Sequence, residues 1–387
     1  MFLGYDASWA DVSARRFMFP ERKNNERLYV DVHVLQTVPP SCVNRDDTGS
    51  PKTAVYGGVT RARVSSQSWK RAMRLMFRNE FPDEQLGLRT KRIVKLVADE
   101  IQRLAPQENS AEKLAINALT AAGLKIKDAQ KGTDALFFIS EAQVRALARL
   151  VVETPDFIKV AGTKEIKQAA ADALRQYPGI DIALFGRMVA DDPTLNTEAC
   201  AQVAHCISTH KVNNEYDYFT AVDDLSPEDN AGAAHLGTVE FNSSTLYRYA
   251  TVAVHKLNEQ LGGDTVRTVK EFVSAFVRSM PDGKQNTFAN RTLPDAVLVT
   301  VRRDQSVNLV GAFERPVYAG ENGYVEPSAK RMCEYAKEVY ADFAGEPEAS
   351  FVTGRALGTL AEPCSFTELL NKLGAKLEEC IGEDANI

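Results

Sequence analysis

Seven basic residues fall in one stretch with no acidic residue between them. Lys52, Arg61, Arg63, Lys70, Arg71, Arg74 and Arg78 lie between Asp47 and Glu80. The whole chain has a formal net charge of -6, so this stretch is a local reversal of sign. Clustered Lys and Arg on an acidic protein mark a place where an anion would sit. The chemistry such groups do best is phosphate binding: they neutralise charge and release counterions. The plain alternative is a solvated basic helix face.

The elements that would position these groups can be read from local pattern. Trp69, Ala72, Met73, Met76 and Phe77 recur at helical spacing, which predicts a helix over 65–79 with one apolar face. Ser65 or Ser66 is its N-cap. Lys70, Arg71, Arg74 and Arg78 fall on the opposite face. The helix start is rich in Ser and Gln, with free N–H groups and the positive end of the dipole. Arg61 and Arg63 alternate with Ala62 and Val64, as in an extended segment carrying both guanidinium groups on one side. Gly49, Pro51, Gly57 and Gly58 make the approach a turned loop. Long glycine-containing loops more often carry function than structure.

This stretch, NRDDTGSPKTAVYGG followed by RARVSSQSWKRAMR, resembles the CasC family, the backbone subunits of the type I-E CRISPR surveillance complex (Cascade). Further segments resemble it in the same order: DIALFGRM at 181–188, HKVNNEYDYFTAVDD at 210–224, AHLGTVEF at 234–241, YRYA at 247–250 and GKQNTFA at 283–289. The resemblance implies a hand-like, non-catalytic subunit. Copies of it would polymerise along CRISPR RNA, beside other Cascade subunits, and present bases to target DNA. It implies guide-RNA contacts at Arg45, Lys52, Ser65, Gln67, Lys70, Arg71 and Arg74, and a base-packing role for Met188. Phe219 and Thr220 would form the tip of a thumb that interrupts the RNA–DNA duplex. Arg61 and Arg63 join the RNA-binding set through their strand alternation.

The rest of the chain supports an α+β class. Residues 28–36 alternate as a strand, with Leu28, Val30, Val32 and Val34 on one side and Tyr29, Asp31 and His33 on the other. His33 reads as a surface or hydrogen-bonded histidine. Helical spacing recurs at 93–104, 111–123, 140–153 and 163–176, a block without a chemical motif. IALFGRMV at 182–189 reads as a strand, 197–211 as a helix, and 212–242 as a polar excursion carrying Tyr216, Tyr218 and Phe219. Residues 246–257 read as a strand, 264–280 as a helix and 296–302 as a strand. Residues 328–344 and 365–381 read as peripheral helices. Without its insertions this order is βαββαβ, a modified RRM or ferredoxin-like palm, and RRM-type sheets often bind single-stranded RNA.

The expected organisation is an N-terminal extension (1–25), palm (26–85), helical fingers (86–180), palm (181–211), thumb (212–242), then palm and C-terminal helices (243–387). A chain of 387 residues, 44% apolar and 25% charged, is ordinary for a globular protein. No apolar run reaches the roughly 18 residues of a membrane span. Asp6, Asp11, Arg15 and Arg16 interrupt any secretory signal. No membrane partner is therefore expected, and the chain is expected to be cytoplasmic.

Two chemistries compete with the binding reading. Cys200, His205, Cys206 and His210 cluster in sequence, yet no CxxC pair is present, so buried thiols are favoured over a zinc site. Asp46 with Asp47, or Asp223 with Asp224, could hold Mg²⁺ for RNA cleavage, as loop aspartates do in related CRISPR backbone subunits. Asp before Thr-Gly-Ser more often builds a turn. No cofactor and no metal is expected.

Overall fold

The alternating segment near the N-terminus becomes the middle of the structure. A computed structural model describes residues 27–127, 132–189, 192–221 and 235–385. The N-terminal extension over 1–25 lies outside the described residues, as do Asp223 and Asp224.

Strand β1 (Tyr29–Ser41) leads to the hairpin of β2 (Thr53–Tyr56) and β3 (Val59–Val64), turned at Gly57 and Gly58, both at positive φ. Two consecutive left-handed residues suit a tight hairpin turn. Helix α1 (Ser66–Glu80) follows. Strand β4 (Gly87–Thr90), α2 (Ile93–Leu104), α3 (Ala111–Ala121), β5 (Phe137–Ser140), α4 (Glu141–Glu153), α5 (Phe157–Val160) and α6 (Lys164–Arg175) form the helical block. Its core is its own, built on Val97, Ile101, Leu119, Leu147 and Leu174. The antiparallel pair β4–β5 inside it is too short for periodicity to reveal.

Two segments exchange the types expected of them. Residues 182–189 were expected as a strand, but Ile180–Phe185 is helix α7, wholly buried and ended by Gly186 at positive φ. A short continuous apolar run does not distinguish buried helix from buried strand. Residues 197–211 were expected as a helix, but they hold strands β6 (Ala201–Val203) and β7 (Cys206–Ser208). Their partners are distant: Ala201 sits opposite Val252, Ile207 opposite Tyr247, and Cys206 opposite Val64. Ladder pairing here overrides local helical preference.

Strand β8 (Glu215–Ala221) pairs with the start of β9 (His235–Ala253) as an antiparallel ribbon, and β9 then runs on into the sheet. Helix α8 (Val254–Leu261) takes the end of the segment expected as strand. Then come α9 (Thr265–Arg278), the single turn α10 (Gln285–Phe288), β10 (Ala296–Arg302), α11 (Val325–Val339), β11 (Ala349–Thr353) and α12 (Phe366–Ala385).

The sheet order is β11-β10-β1-β9-β7-β3-β2, with β6 and β8 also paired to β9. One face packs on α1, α9 and α12 through Trp69, Phe77, Phe272, Phe276 and Leu373. The other face is covered too: Tyr247, Leu298, Phe313, Met332 and Ala336 form a second core beneath α11. Asp31 and His33, expected on a polar strand face, are buried in that layer. His33 Nδ1 lies 2.9 Å from the Tyr247 hydroxyl, and the Asp31 carboxylate accepts from Tyr249 Oη and Val307 N. An open, RNA-binding sheet face of the RRM kind is thus absent around β1 among the described residues. The candidate anion-binding groups lie at the edge of the sheet instead.

Candidate nucleic-acid interface

The loop between β1 and β2 is held rigid by its own short polar side chains. Asp46 Oδ1 accepts from Thr48 N (3.0 Å), Thr48 Oγ1 (2.7 Å) and Ser50 N (3.0 Å). The Thr48 hydroxyl bond holds the Asp46 carboxyl below its usual range. That carboxylate is doing the work of a turn. Backbone bonds join Lys52 N to Asn44 O (2.8 Å) and Arg63 N to Lys52 O (2.9 Å). Asn44 Oδ1 accepts from Ser65 N at 2.9 Å, so the loop is tied to the start of α1. Arg45 and Lys52 are thereby placed next to that helix start.

Ser65 caps α1: its hydroxyl accepts from Ser68 N. Trp69, Met73 and Phe77 are fully buried, the apolar face that the spacing predicts. No acidic residue occupies the first turn. The Ser66 and Gln67 N–H groups point out of the helix start by geometry, and Gln67 is exposed. Arg71 is exposed on the outer face. Lys70 Nζ lies 5.7 Å from the centre of the Phe185 ring. Burial, with the Arg89 charge added, holds the Lys70 ammonium below its ordinary value. Among the described residues Arg45, Lys52, Lys70 and Arg71 have no ion-pair partner.

Two of the sequence-predicted cations are used inside the protein. Arg61 has no exposed surface at all. Its guanidinium donates to Phe313 O (2.8 Å), Ser208 O (3.0 Å) and Tyr56 O (3.2 Å). A buried guanidinium needs these carbonyls, and its donors are turned away from any ligand. The expected RNA contact at Arg61 is corrected accordingly: Arg61 braces β3 against the segment before α11. Arg74 is partly withdrawn, because Nε donates to Asp181 Oδ2 at 2.7 Å and Nη2 to Gly87 O at 3.1 Å. Arg63 stays near the loop, with Nε on Thr53 O (3.1 Å) and Nη1 3.3 Å from His205 Nδ1. Burial, then Arg63 and Lys52, lower the pKa of His205.

Met188 is 86% exposed. Its neighbour explains how so exposed a methionine is held. Arg187 is buried and donates to Leu174 O (2.7 Å), Phe138 O (3.1 Å) and Leu195 O. The Arg187 side chain pins the turn, and Met188 projects from it. On the ribbon, Tyr216, Tyr218 and Phe219 are exposed and do not tuck onto the body. Phe219 pairs with Gly237 across the ribbon, and a Cβ at Gly237 would lie 2.3 Å from the Phe219 ring. The ring therefore packs over Gly237, and a side chain there would push it aside. Thr220 is next to it on β8.

The four Cys and His candidates do not converge. Burial pushes both Cys200 and Cys206 up to about 11, the state of an inert thiol. His205 faces Arg63, while His210 stacks on Tyr324 at 3.7 Å and accepts from Thr245 N. Among the described residues no group of three or more His, Cys, Asp or Glu is placed to hold a metal ion. No helix among them is long and apolar enough to cross a membrane.

Residues 30–376 match the family described as CT1975-like protein. The chain belongs to that family. It is also similar to a chain of a solved structure described as a CRISPR RNA-guided surveillance complex, pre-nicking. Identity is 32%, the match covers 90% of this chain and 99% of that one, and the TM-score is 0.76. A chain of a second structure, a CRISPR RNA-guided surveillance complex, is 28% identical over 90% of this chain and 99% of that one, with a TM-score of 0.59. No curated protein matches it.

In this CT1975-like chain the site contains residues that sequence reasoning missed. Asn44 couples loop to helix, and its place directly before Arg45 was the available signal. Asp181 and Arg187 are buried anchors, and nothing in their local sequence marks them as such. Gly237 carried a weak signal, a glycine inside a strand.

Proposed function

We propose that this chain is a non-catalytic backbone subunit of a type I-E Cascade complex. Multiple copies would line CRISPR RNA, grip its phosphates and leave its bases to pair with target DNA. The observation that carries this reading is the set of cations left unpaired on α1 and its loop, beside a helix start with no acidic residue. Guide RNAs differ in sequence, so their holder should contact the backbone and not base edges. Arg45, Lys52, Arg63, Lys70 and Arg71 supply charge, and Ser65, Gln67 and the first N–H groups of α1 fix register. Met188 offers a polarizable apolar surface to one base. Phe219, on its ribbon, would wedge or stack on another, beside Thr220.

The fold reading is a βαββαβ palm. In its favour, β10, β1, β9 and β7 lie side by side, with α1 between β1 and β7 in sequence and α9 between β9 and β10. The helical block would be the fingers and the β8–β9 ribbon the thumb. The non-catalytic reading is supported by the Asp46 carboxylate, whose hydrogen bonds belong to its own turn.

The test is co-expression with repeat-containing RNA, followed by purification in moderate salt. Absorbance at 260 and 280 nm and particle mass are then measured. A large particle holding one RNA of uniform length is the expected result. A nucleic-acid-free monomer that ignores added CRISPR RNA would sink the proposal.

A further inference from the structure

The seam between α1 and the helical block holds more positive charge than it neutralises. Arg89 lies on β4, directly opposite Phe138 on β5. Its guanidinium sits 4.6 Å from the centre of the Phe138 ring, and the Arg74 guanidinium sits 4.5 Å from the same ring. Lys70 lies over Phe185, and the Arg89 charge adds to burial in lowering its ammonium's pKa. Asp181 is the one carboxylate bonded at this seam among the described residues, and it is already occupied. Oδ2 takes Arg74 Nε at 2.7 Å, and Oδ1 takes Gly87 N at 2.6 Å. Arg74 is thus neutralised, while Lys70 and Arg89 are not ion-paired among the described residues.

We propose that Lys70 and Arg89 together grip one phosphate of the bound nucleic acid, making Arg89 a contact residue supplied by the helical block. This rests on the RNA-binding reading above. Three observations support it. Like charges, a partly buried Lys70 and an exposed Arg89, repel one another where they meet, and an anion between them removes that cost. The two head groups are complementary as phosphate ligands: Arg offers a planar fork and Lys a point charge. Phe138 and Phe185 lie beneath the two cations and hold them in place before any ligand arrives. A phosphate there would tie the helical block to α1.

The experiment uses full-length protein, the variants Arg89→Ala and Arg89→Lys, and mixed-sequence single-stranded RNA titrated at several salt concentrations. Arg89→Ala should weaken binding roughly tenfold, as loss of a charged hydrogen-bonding group does. The salt slope should fall by up to about 0.7, the value of one single-strand phosphate contact, because Lys70 still holds part of that phosphate's charge. Arg89→Lys should restore the slope but only part of the affinity. Melting of the RNA-free protein should be unchanged or raised in Arg89→Ala, because repulsion is relieved. Unchanged affinity and slope in Arg89→Ala, with wild-type protein binding normally, overturns this site alone. A lowered melting temperature with an unchanged slope makes Arg89 a structural residue and also overturns it. Intact RNA binding with lost assembly would assign the pair to an acidic protein neighbour instead. Wild-type protein that binds no RNA overturns the functional reading and this site with it.

Discussion

Helices α1 and α4 are both amphipathic and both capped by a serine, yet they dispose of their charge in opposite ways. In α4 the cap is a reciprocal box between Ser140 and Gln143, and Glu141 stands in the first turn. Glu141 pairs with Arg145 one turn on. Other charges of the helical block are paired in the same way: Lys95 with Asp99, Arg103 with Glu100, Lys159 with Asp156 and Arg175 with Asp172. Helices α3 and α6 also carry Glu in the first turn, where it complements the dipole. Helix α1 has no such Glu, and among the described residues Lys70 and Arg71 have no ion-pair partner. The block's pairs lie on exposed helix surface, as in a solvated face, whereas Arg89 of the same block is not ion-paired among the described residues. The surface of α1 leaves cations unpaired, as the proposed grip on phosphates requires.

The largest expected effect comes from reversing that contrast. On the proposed RNA-binding reading, Lys70→Glu with Arg71→Glu removes two phosphate contacts and adds two repulsive charges. RNA affinity should fall roughly a hundred- to a thousandfold, and the salt slope should drop by about 1.4. Lys95→Glu with Arg103→Glu makes the same charge change within the paired set of α2. RNA affinity there should change less than about threefold, since such pairs are solvated and worth little. Equal losses in the two double variants, measured by RNA titration across salt, would abolish the distinction between the two surfaces.

Arg61 sharpens the comparison from a third direction, as a cation finished neither by carboxylate nor by ligand but by carbonyls. Arg61→Ala strands Ser208 O and Phe313 O and leaves a cavity. Unfolding stability should drop by roughly 3 kcal/mol in a denaturant titration. Arg61→Lys should recover little, because a point charge does not span three carbonyls. If Arg61→Ala keeps its stability and loses RNA, Arg61 belongs to the interface after all.

What could be read in advance follows the same division between local and distant causes. Helix α1 was expected over 65–79 and spans Ser66–Glu80, because its cap and apolar spacing are neighbours in sequence. Strand β10 is likewise where its apolar run predicts. Strands β6 and β7 were hidden because the ladder that makes them strands comes from β9, some 40 to 50 residues later. Arg61 and Arg63 share a strand side, as their alternation implies. Whether that side is open was decided at Arg61 by Phe313, which no local pattern reveals. Met188 was legible as a residue and not as an exposed one, since its exposure depends on where Arg187 is buried.

A smaller effect tests whether the surface of unpaired cations responds to an anion electrostatically. His205 sits beside Arg63, and burial with the Arg63 and Lys52 charges depresses its pKa below the usual 6.5. A phosphate near those cations offsets part of the depression, so His205 is more basic in the complex than in the free protein. Binding then takes up a fraction of a proton in the range below pH 6.5. RNA affinity should rise by about two- to threefold as pH falls from 7 toward 5.5. His205→Asn should flatten this difference. Affinity that falls with decreasing pH in the wild type alone would put the bound anion elsewhere.

The smallest effect is expected at Met188, where charge plays no part. The side chain is exposed, so Met188→Ala should leave unfolding stability within about 0.5 kcal/mol of wild type. Its salt slope should also be unchanged, because no phosphate contact is lost. Affinity for RNA should fall by about two- to threefold, the scale of one thioether resting on one base. Arg187→Ala should differ in kind: it leaves Leu195 O without its donor, leaves Leu174 O with Gln143 Nε2 alone, and destabilises the turn itself. An altered salt slope in Met188→Ala would mean that the turn positions charges as well as the methionine. The exposed side chain would then be a consequence of the Arg187 anchor and not its purpose.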